Sequence, residues 1–268
     1  MFQNRGLMKY LRIAALCIAG CAWGLAAPSG AQDWKMSAMV SYDTGKYGTS
    51  DHTSSFYIPL TLKRYFDKSS ASVTVPYLRQ SSTGQVVRVG GSPVRVNKVR
   101  TAAGSSSQSG LGDIILRGGY PLRQEDPDSF GLTLAGRIKL PTADEDKGLG
   151  TGEFDEGAGL EFAKEIAPRL TLLADGYYTL IGEPDGADFN NQLSLDLGFY
   201  SPLNGKLGLT VLYETSNAIV SGNPGPSDLS AVLDYKAPDG NSYFGGLLLG
   251  LSDGSPDLGI SAGLSRRF

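Results

Sequence analysis

From Trp34 onward the chain repeats a unit of roughly ten residues in which apolar positions alternate with polar or small ones, and a turn follows. Trp34, Met36, Ala38, Val40 and Tyr42 alternate with Lys35, Ser37, Met39 and Ser41. Phe130, Leu132, Leu134, Ile138 and Leu140 do the same, as do Leu193, Leu195, Leu197 and Phe199. Leu207, Leu209, Val211 and Tyr213 repeat the pattern, and so do Leu258, Ile260, Ala262 and Leu264. Side chains on a strand point to opposite faces in turn, so each segment carries one apolar and one polar face. Such segments start near residues 33, 53, 70, 110, 129, 153, 169, 190, 205, 227, 241 and 257. The pattern predicts an all-β chain: a transmembrane antiparallel up-and-down β-barrel of about 12 strands, an even number as in bacterial outer-membrane barrels.

The connections support that reading. Asp67-Lys68-Ser69, Pro168-Arg169, Asn204-Gly205 and Asp239-Gly240 are short turns, the last two with hairpin chemistry. Between them lie longer links at 43–52, 81–109, 141–152, 182–189, 217–227 and 252–256, and 121–129 is the one long member of the short set. Short turns on one side and long loops on the other match the periplasmic and extracellular ends of such barrels. Tyr65, Phe66, Tyr120, Phe130, Phe199, Tyr200, Tyr235, Tyr243 and Phe244 all sit beside the short turns, where an aromatic girdle is expected. The terminal Phe268 reaches that same edge and resembles the signal read by barrel assembly machinery. Outer-membrane lipids are the other expected partner.

The first residues supply the address. Arg5, Lys9 and Arg12 precede a nearly continuous apolar run from Ile13 to Ala27, then Pro28 and Ser29-Gly30-Ala31. This is the layout of a secretory signal peptide cut after Ala31, which divides the chain into a signal at 1–31 and a barrel at 32–268. Ile18-Ala19-Gly20-Cys21 offers a rival, lipoprotein-type site. Both cysteines, Cys17 and Cys21, fall within the signal, so the mature barrel is expected to hold no disulfide and no thiol chemistry. Its removal reduces 24 basic residues to 21 against 27 acidic ones, and the net charge moves from −3 to −6. An acidic exported protein is a poor nucleic-acid binder. No later segment has the roughly 18 apolar residues that a transmembrane helix needs.

Parity with the apolar neighbours assigns a face to each charge. Lys35, Lys63, Arg117, Arg137, Lys139 and Arg267 are expected to line the lumen on one wall, from strands twelve, one, two, four and five. Glu153, Asp155, Glu161, Asp175, Asp196, Glu214 and Asp234 are expected on the other, from strands six to ten, with Asp113 the lone inward acid on the basic side. Simple hairpin register places Asp113 opposite Arg137 and brings Glu161, Asp175 and Asp196 to similar heights. Opposed acidic and basic walls set up a transverse field that tunes which ions pass. If the charges are tightly paired instead, they form a polar core that holds the barrel round.

Little points to catalysis. His52 is the only histidine and lies in the first long loop, away from any marked serine. "GLGTGEF" at 148–154 lacks the Gly-Lys-Ser/Thr ending of a phosphate loop, and "TADEDK" at 142–147 reads as a solvated acidic loop. No enzyme activity, cofactor or metal is expected.

Three stretches, "SGLGDIILRGGYPL" at 109–122, "IKLPT" at 138–142 and "GLGTGEFD" at 148–155, resemble the family of MetA-pathway phenol-degradation outer-membrane proteins, described as transporters. Ala143 departs from the glycine expected after Pro-Thr. The resemblance implies an outer-membrane barrel that moves small solutes, with aromatic or hydrophobic compounds as candidates. Two function classes stay open: a passive channel for small-molecule solutes, and a closed barrel with a structural or loop-mediated binding role. An outer-membrane hydrolase is disfavoured by the shortage of histidine.

Overall fold

The computed structural model describes residues 33–82, 86–89, 92–95 and 106–268. The strands are β1 (Trp34–Gly45), β2 (Thr53–Phe66), β3 (Ser69–Ser82), β4 (Val86–Val89), β5 (Ser92–Arg95), β6 (Ser106–Leu111), β7 (Ile114–Arg123) and β8 (Gly131–Leu140). They continue as β9 (Asp155–Ala167), β10 (Leu170–Leu180), β11 (Gln192–Pro202), β12 (Leu207–Ser216), β13 (Ser227–Lys236), β14 (Asn241–Gly250) and β15 (Leu258–Arg267). Each wall strand pairs antiparallel with its neighbours, and the β1–β15 and β2–β3 pairings close the ring. Closure pairs both edges of the strands that span the wall, as a hydrocarbon surround demands, while β6 pairs on one edge, with β3. β6 and β7 both pair with β3 and form one interrupted strand, so the wall counts twelve. The predicted signal, with Cys17 and Cys21, lies outside the described residues.

Parity separates the two faces. Met36, Leu62, Leu116, Leu134, Leu160, Leu195, Leu197, Leu233, Leu247 and Ile260 all stand exposed on the outer surface, where lipid is the solvent. Charge of the same parity falls near strand ends: Arg64 lies against Trp34 and Phe66, and Lys164 reaches the carbonyls of Pro127 and Ser129. Long cationic side chains there extend toward the interface. Phe66, Tyr120, Phe199, Tyr235, Tyr243 and Phe268 form the outward girdle. Tyr65, Tyr200 and Phe244, expected in it, have interior parity instead, because each is one residue out of step with an outward aromatic.

The fourth wall strand is not continuous. It breaks at Gly112-Asp113, where the Gly112 amide donates to the Pro76 carbonyl and a Cβ would meet Leu78 at 2.5 Å. A side chain at this position would have to displace the buried Leu78.

The long loops do not all stay outside. Leu149, 1% exposed, packs on Tyr57 and Leu78 from the interior face of β2 and β3. β4 and β5 pair as a hairpin within the longest loop. Val89 is fully buried against Ile181 and Ile219, with Val87, Val94 and Phe189 packed around them. The hairpin is therefore anchored on the loops after β10 and β12 as well as on β3, where Gln80 donates to the Val86 carbonyl at 2.5 Å.

Candidate functional site

Two rows of charge run around the interior face. Arg267 pairs directly with Lys35, and Lys35 with Lys63. The same row continues through Ser72 to Arg117 and Arg137. Aromatic faces receive several of these cations: Arg267 lies 4.3 Å and Lys63 5.0 Å from the Tyr65 ring centre, and Arg117 lies 5.3 Å from that of Tyr177. Cation–π attraction of this kind holds a charge in place without neutralising it.

The second row is acidic. Glu161 stands opposite Asp175, Asp175 opposite Asp196, Asp196 opposite Glu214, and Glu214 opposite Asp228. Directly opposed side chains on antiparallel strands hold their Cβ atoms roughly 4.5–5.5 Å apart, and like charges so placed repel. The Glu161 end is tied down: Arg117 donates to Glu161 and to the Tyr177 hydroxyl, which itself donates to Glu161. Arg137 donates to the Thr179 hydroxyl at 2.9 Å, and Ser230 donates to Glu214 at 2.9 Å. Asp234, opposite Gly208 and Phe244, sits nearer the short turns, outside the row.

Asp113 does not meet Arg137. Arg117 occupies that position opposite Arg137, and Ile115 stands opposite Lys139. The pairing is four residues away from simple hairpin register, an offset set within the long 121–129 connection and larger than the one-residue bulge at Pro121/Arg123. Asp113 accepts instead from Lys139 Nζ at 2.8 Å. Lys139 also lies 3.4 Å from Asp155 and donates to the Glu153 carbonyl at 2.8 Å. Glu153 precedes β9 and is therefore a loop residue, not the strand residue its parity suggested.

This buried knot explains the three conspicuous stretches of sequence. Asp113 accepts from the Thr142 and Ala143 amides at 3.1 and 2.9 Å, and the Thr142 hydroxyl donates to the Gly112 carbonyl at 3.1 Å. A Cβ on Gly150 would lie 2.8 Å from both Ala143 Cβ and Asp113 Oδ2. Asp155 accepts from the Gly182 amide at 3.0 Å. Gly-Asp, Leu-Pro-Thr and Gly-Thr-Gly thus converge on one lysine and hold the 141–152 loop inside the mouth. Ala143 contributes its methyl to the cluster of Tyr57, Leu78 and Leu149.

A residue absent from the sequence expectations completes the interior. Arg88 of β4 is buried, with its guanidinium 4.6 Å from the Tyr57 ring centre. Asp228, the last member of the acidic row, was also missed, since it lies one residue inside the start of β13. His52 is exposed in the first loop, and the acidic 142–147 segment carries a solvent-facing Lys147–Asp144 pair at 2.5 Å.

A family model described as "Putative MetA-pathway of phenol degradation" matches residues 67–268. The chain belongs to that family. Its fold is similar to that of an outer-membrane channel from Pseudomonas putida F1, with a TM-score of 0.70 at 12% identity, covering 91% of this chain and 97% of that one. The NanC porin is similar at a TM-score of 0.56 and 8% identity, covering 88% of this chain and 100% of that one. The KdgM porin follows at 0.54 and 8%, with 87% and 99% covered. At such identities the likeness is one of fold: this chain is an outer-membrane-type β-barrel. No curated protein matches it.

Proposed function

We propose that this barrel is a passive channel for small solutes in the outer membrane, with small aromatic or hydrophobic compounds as its cargo class. The observation that carries the reading is the pair of opposed charge rows on the interior face, Arg267 to Arg137 and Glu161 to Asp228. A barrel that only needed a sealed interior would gain more from apolar or fully paired side chains than from five carboxylates in direct register. Opposed rows create a transverse field that orients dipolar solutes and discriminates ions. The family description and the porins of similar fold agree with this reading. Lys35, Lys63, Arg117, Arg137 and Arg267 form the basic lining and Glu161, Asp175, Asp196, Glu214 and Asp234 the acidic one. Lys139, Asp113, Glu153 and Asp155 hold the inward loop.

The chain reaches its membrane through export by the signal at 1–31 and through assembly machinery that reads Phe268. Liposome swelling tests the reading: vesicles bearing the folded barrel should admit small neutral phenols and sugars faster than empty vesicles. Equal rates would overturn it.

A second reading has its own support. The β4–β5 hairpin and the 141–152 loop both turn into the mouth, and their buried Val89 and Leu149 are what a closed barrel with a binding surface would also show.

A further inference from the structure

Three cations meet at the short-turn end of the lumen. Lys35 stands directly opposite Arg267 on one side and Lys63 on the other, so a cation flanks it on both neighbouring strands. Side chains so opposed hold their Cβ atoms roughly 4.5–5.5 Å apart, and like charges at that spacing repel. Arg267 and Lys63 both reach the Tyr65 ring, at 4.3 and 5.0 Å from its centre, which gathers the cluster around one side chain. The terminal carboxylate of Phe268 accepts from the Trp34 amide at 3.0 Å, inside the strand ladder.

Aromatic surface lies beside these cations. Phe244 has interior parity and pairs with Gly263 on β15. A Cβ on Gly263 would run into the Phe244 ring, so the ring lies over that glycine, on the strand that carries Arg267. Strand tilt brings residues of different register to one height. Arg117 shows it by engaging Glu161, four residues nearer the short turns than Gly157, its counterpart across β8. Lys35 holds the same relation to Phe244: the counterpart of Phe244 across β15 is Met39, and Lys35 lies four residues from it toward the short turns. Asp234 stands opposite Phe244 on β13, so negative charge lies on the ring side and positive charge on β15, β1 and β2. The three cations outnumber that one carboxylate.

We propose that this end of the lumen is a binding subsite for aromatic carboxylates. The carboxylate sits among Lys35, Lys63 and Arg267, and the ring packs against Phe244. Asp234 repels the charged end of the ligand and so turns it toward the cations. The inference deepens the channel reading and rests on it, since the site faces the lumen. A bound anion offsets the repulsion that the register builds into the cluster, and its charge-assisted contacts supply orientation as well as affinity. Ring-to-ring packing then favours an aromatic acid over a saturated one.

Isothermal titration calorimetry on the folded barrel in detergent at neutral pH tests it, with benzoate, benzyl alcohol and cyclohexanecarboxylate as probes. Benzoate should bind more tightly than benzyl alcohol, which lacks the charge, and than cyclohexanecarboxylate, which lacks the aromatic ring. Lys35→Gln and Lys63→Gln should each weaken benzoate roughly tenfold, the loss of one charge-assisted contact. Lys63→Arg, which keeps the charge, should retain benzoate binding, and Phe244→Leu should narrow the gap between benzoate and cyclohexanecarboxylate. Removing one of three like charges relieves repulsion, so the glutamine variants should fold, and heat-modifiable migration checks that they do. A conducting barrel that does not bind benzoate, or binds it equally well in Lys35→Gln and Lys63→Gln, would overturn the subsite and leave the channel reading intact. A barrel that binds benzoate as expected but passes no current in a planar bilayer would instead overturn the channel reading.

Discussion

Asp175 stands directly opposite Asp196 on the neighbouring strand, in the same register that places Glu161 on one side and Glu214 on the other. Such an arrangement repels itself and persists only if the rest of the barrel over-determines it or if cations visit the lumen. The double substitution Asp175→Asn with Asp196→Asn should lower cation preference in reversal-potential measurements. It should also make the barrel more resistant to urea by roughly 0.2–1 kcal/mol for each repulsive pair relieved. Unchanged ion selectivity would remove the row from the account.

Lys139 bridges Asp113 and Asp155 beneath the inward loop, and all three side chains are less than a tenth exposed. Lys139→Met leaves two buried carboxylates uncompensated and should cost about 3–5 kcal/mol in urea unfolding. Limited proteolysis should then cut within 141–152, where the wild type resists. Asp113→Asn should cost less, because the amide oxygen still accepts from the Thr142 and Ala143 N–H groups.

Facing can be tested on two neighbouring strands. Leu197, 53% exposed near the middle of β11, faces lipid. Leu197→Arg should destabilise refolding into lipid vesicles by roughly 2–4 kcal/mol, the cost of a charge at the bilayer midplane. Thr210→Arg on β12, which has interior parity, should cost far less. Equal penalties would mean that the faces are wrongly assigned.

Much of this architecture can be read in the alternation, because a period of two is a strong signal whenever one face meets lipid. The twelve segments and the pairing of Glu161 with Asp175 follow from it, since short turns such as Pro168-Arg169 leave register little freedom. Across longer links register is free to shift: Asp196 keeps the height of Asp175 beyond the 182–189 link, whereas the strands around 121–129 do not keep the expected pairing. Across the long 121–129 connection the pairing lies four residues from simple hairpin register, and Asp113, in the break between β6 and β7, meets Lys139 instead of Arg137. Arg88 was illegible for another reason: "VVRV" is a four-residue strand inside a long loop, and its place is fixed by Ile181 and Ile219, distant in sequence. Tyr65, Tyr200 and Phe244 show the same limit, because being near an edge does not determine a face.

Tyr47 gives a prediction about pH. Burial is the main cause that pushes its pKa above the ordinary 10.0, with Asp43, Asp228 and Asp257 adding to the rise and Arg88 opposing it. The folded state therefore keeps this proton where the unfolded chain has lost it. Its contribution to stability is undiminished below pH 10 and is lost as pH rises beyond that value. Ultraviolet titration should find one tyrosine that ionises after the others, absent in Tyr47→Phe, and Tyr47→Phe should lose stability less steeply in alkali. Superimposable alkaline unfolding curves for the two proteins would contradict the assignment.

The most direct test of the central claim is single-channel recording from the heat-modifiable, folded barrel in a planar bilayer. Discrete current steps with a cation preference that falls on Asp175→Asn with Asp196→Asn are the predicted result. A silent bilayer, at protein concentrations where folded barrel is demonstrably inserted, would contradict the claim that this interior is a path for solutes.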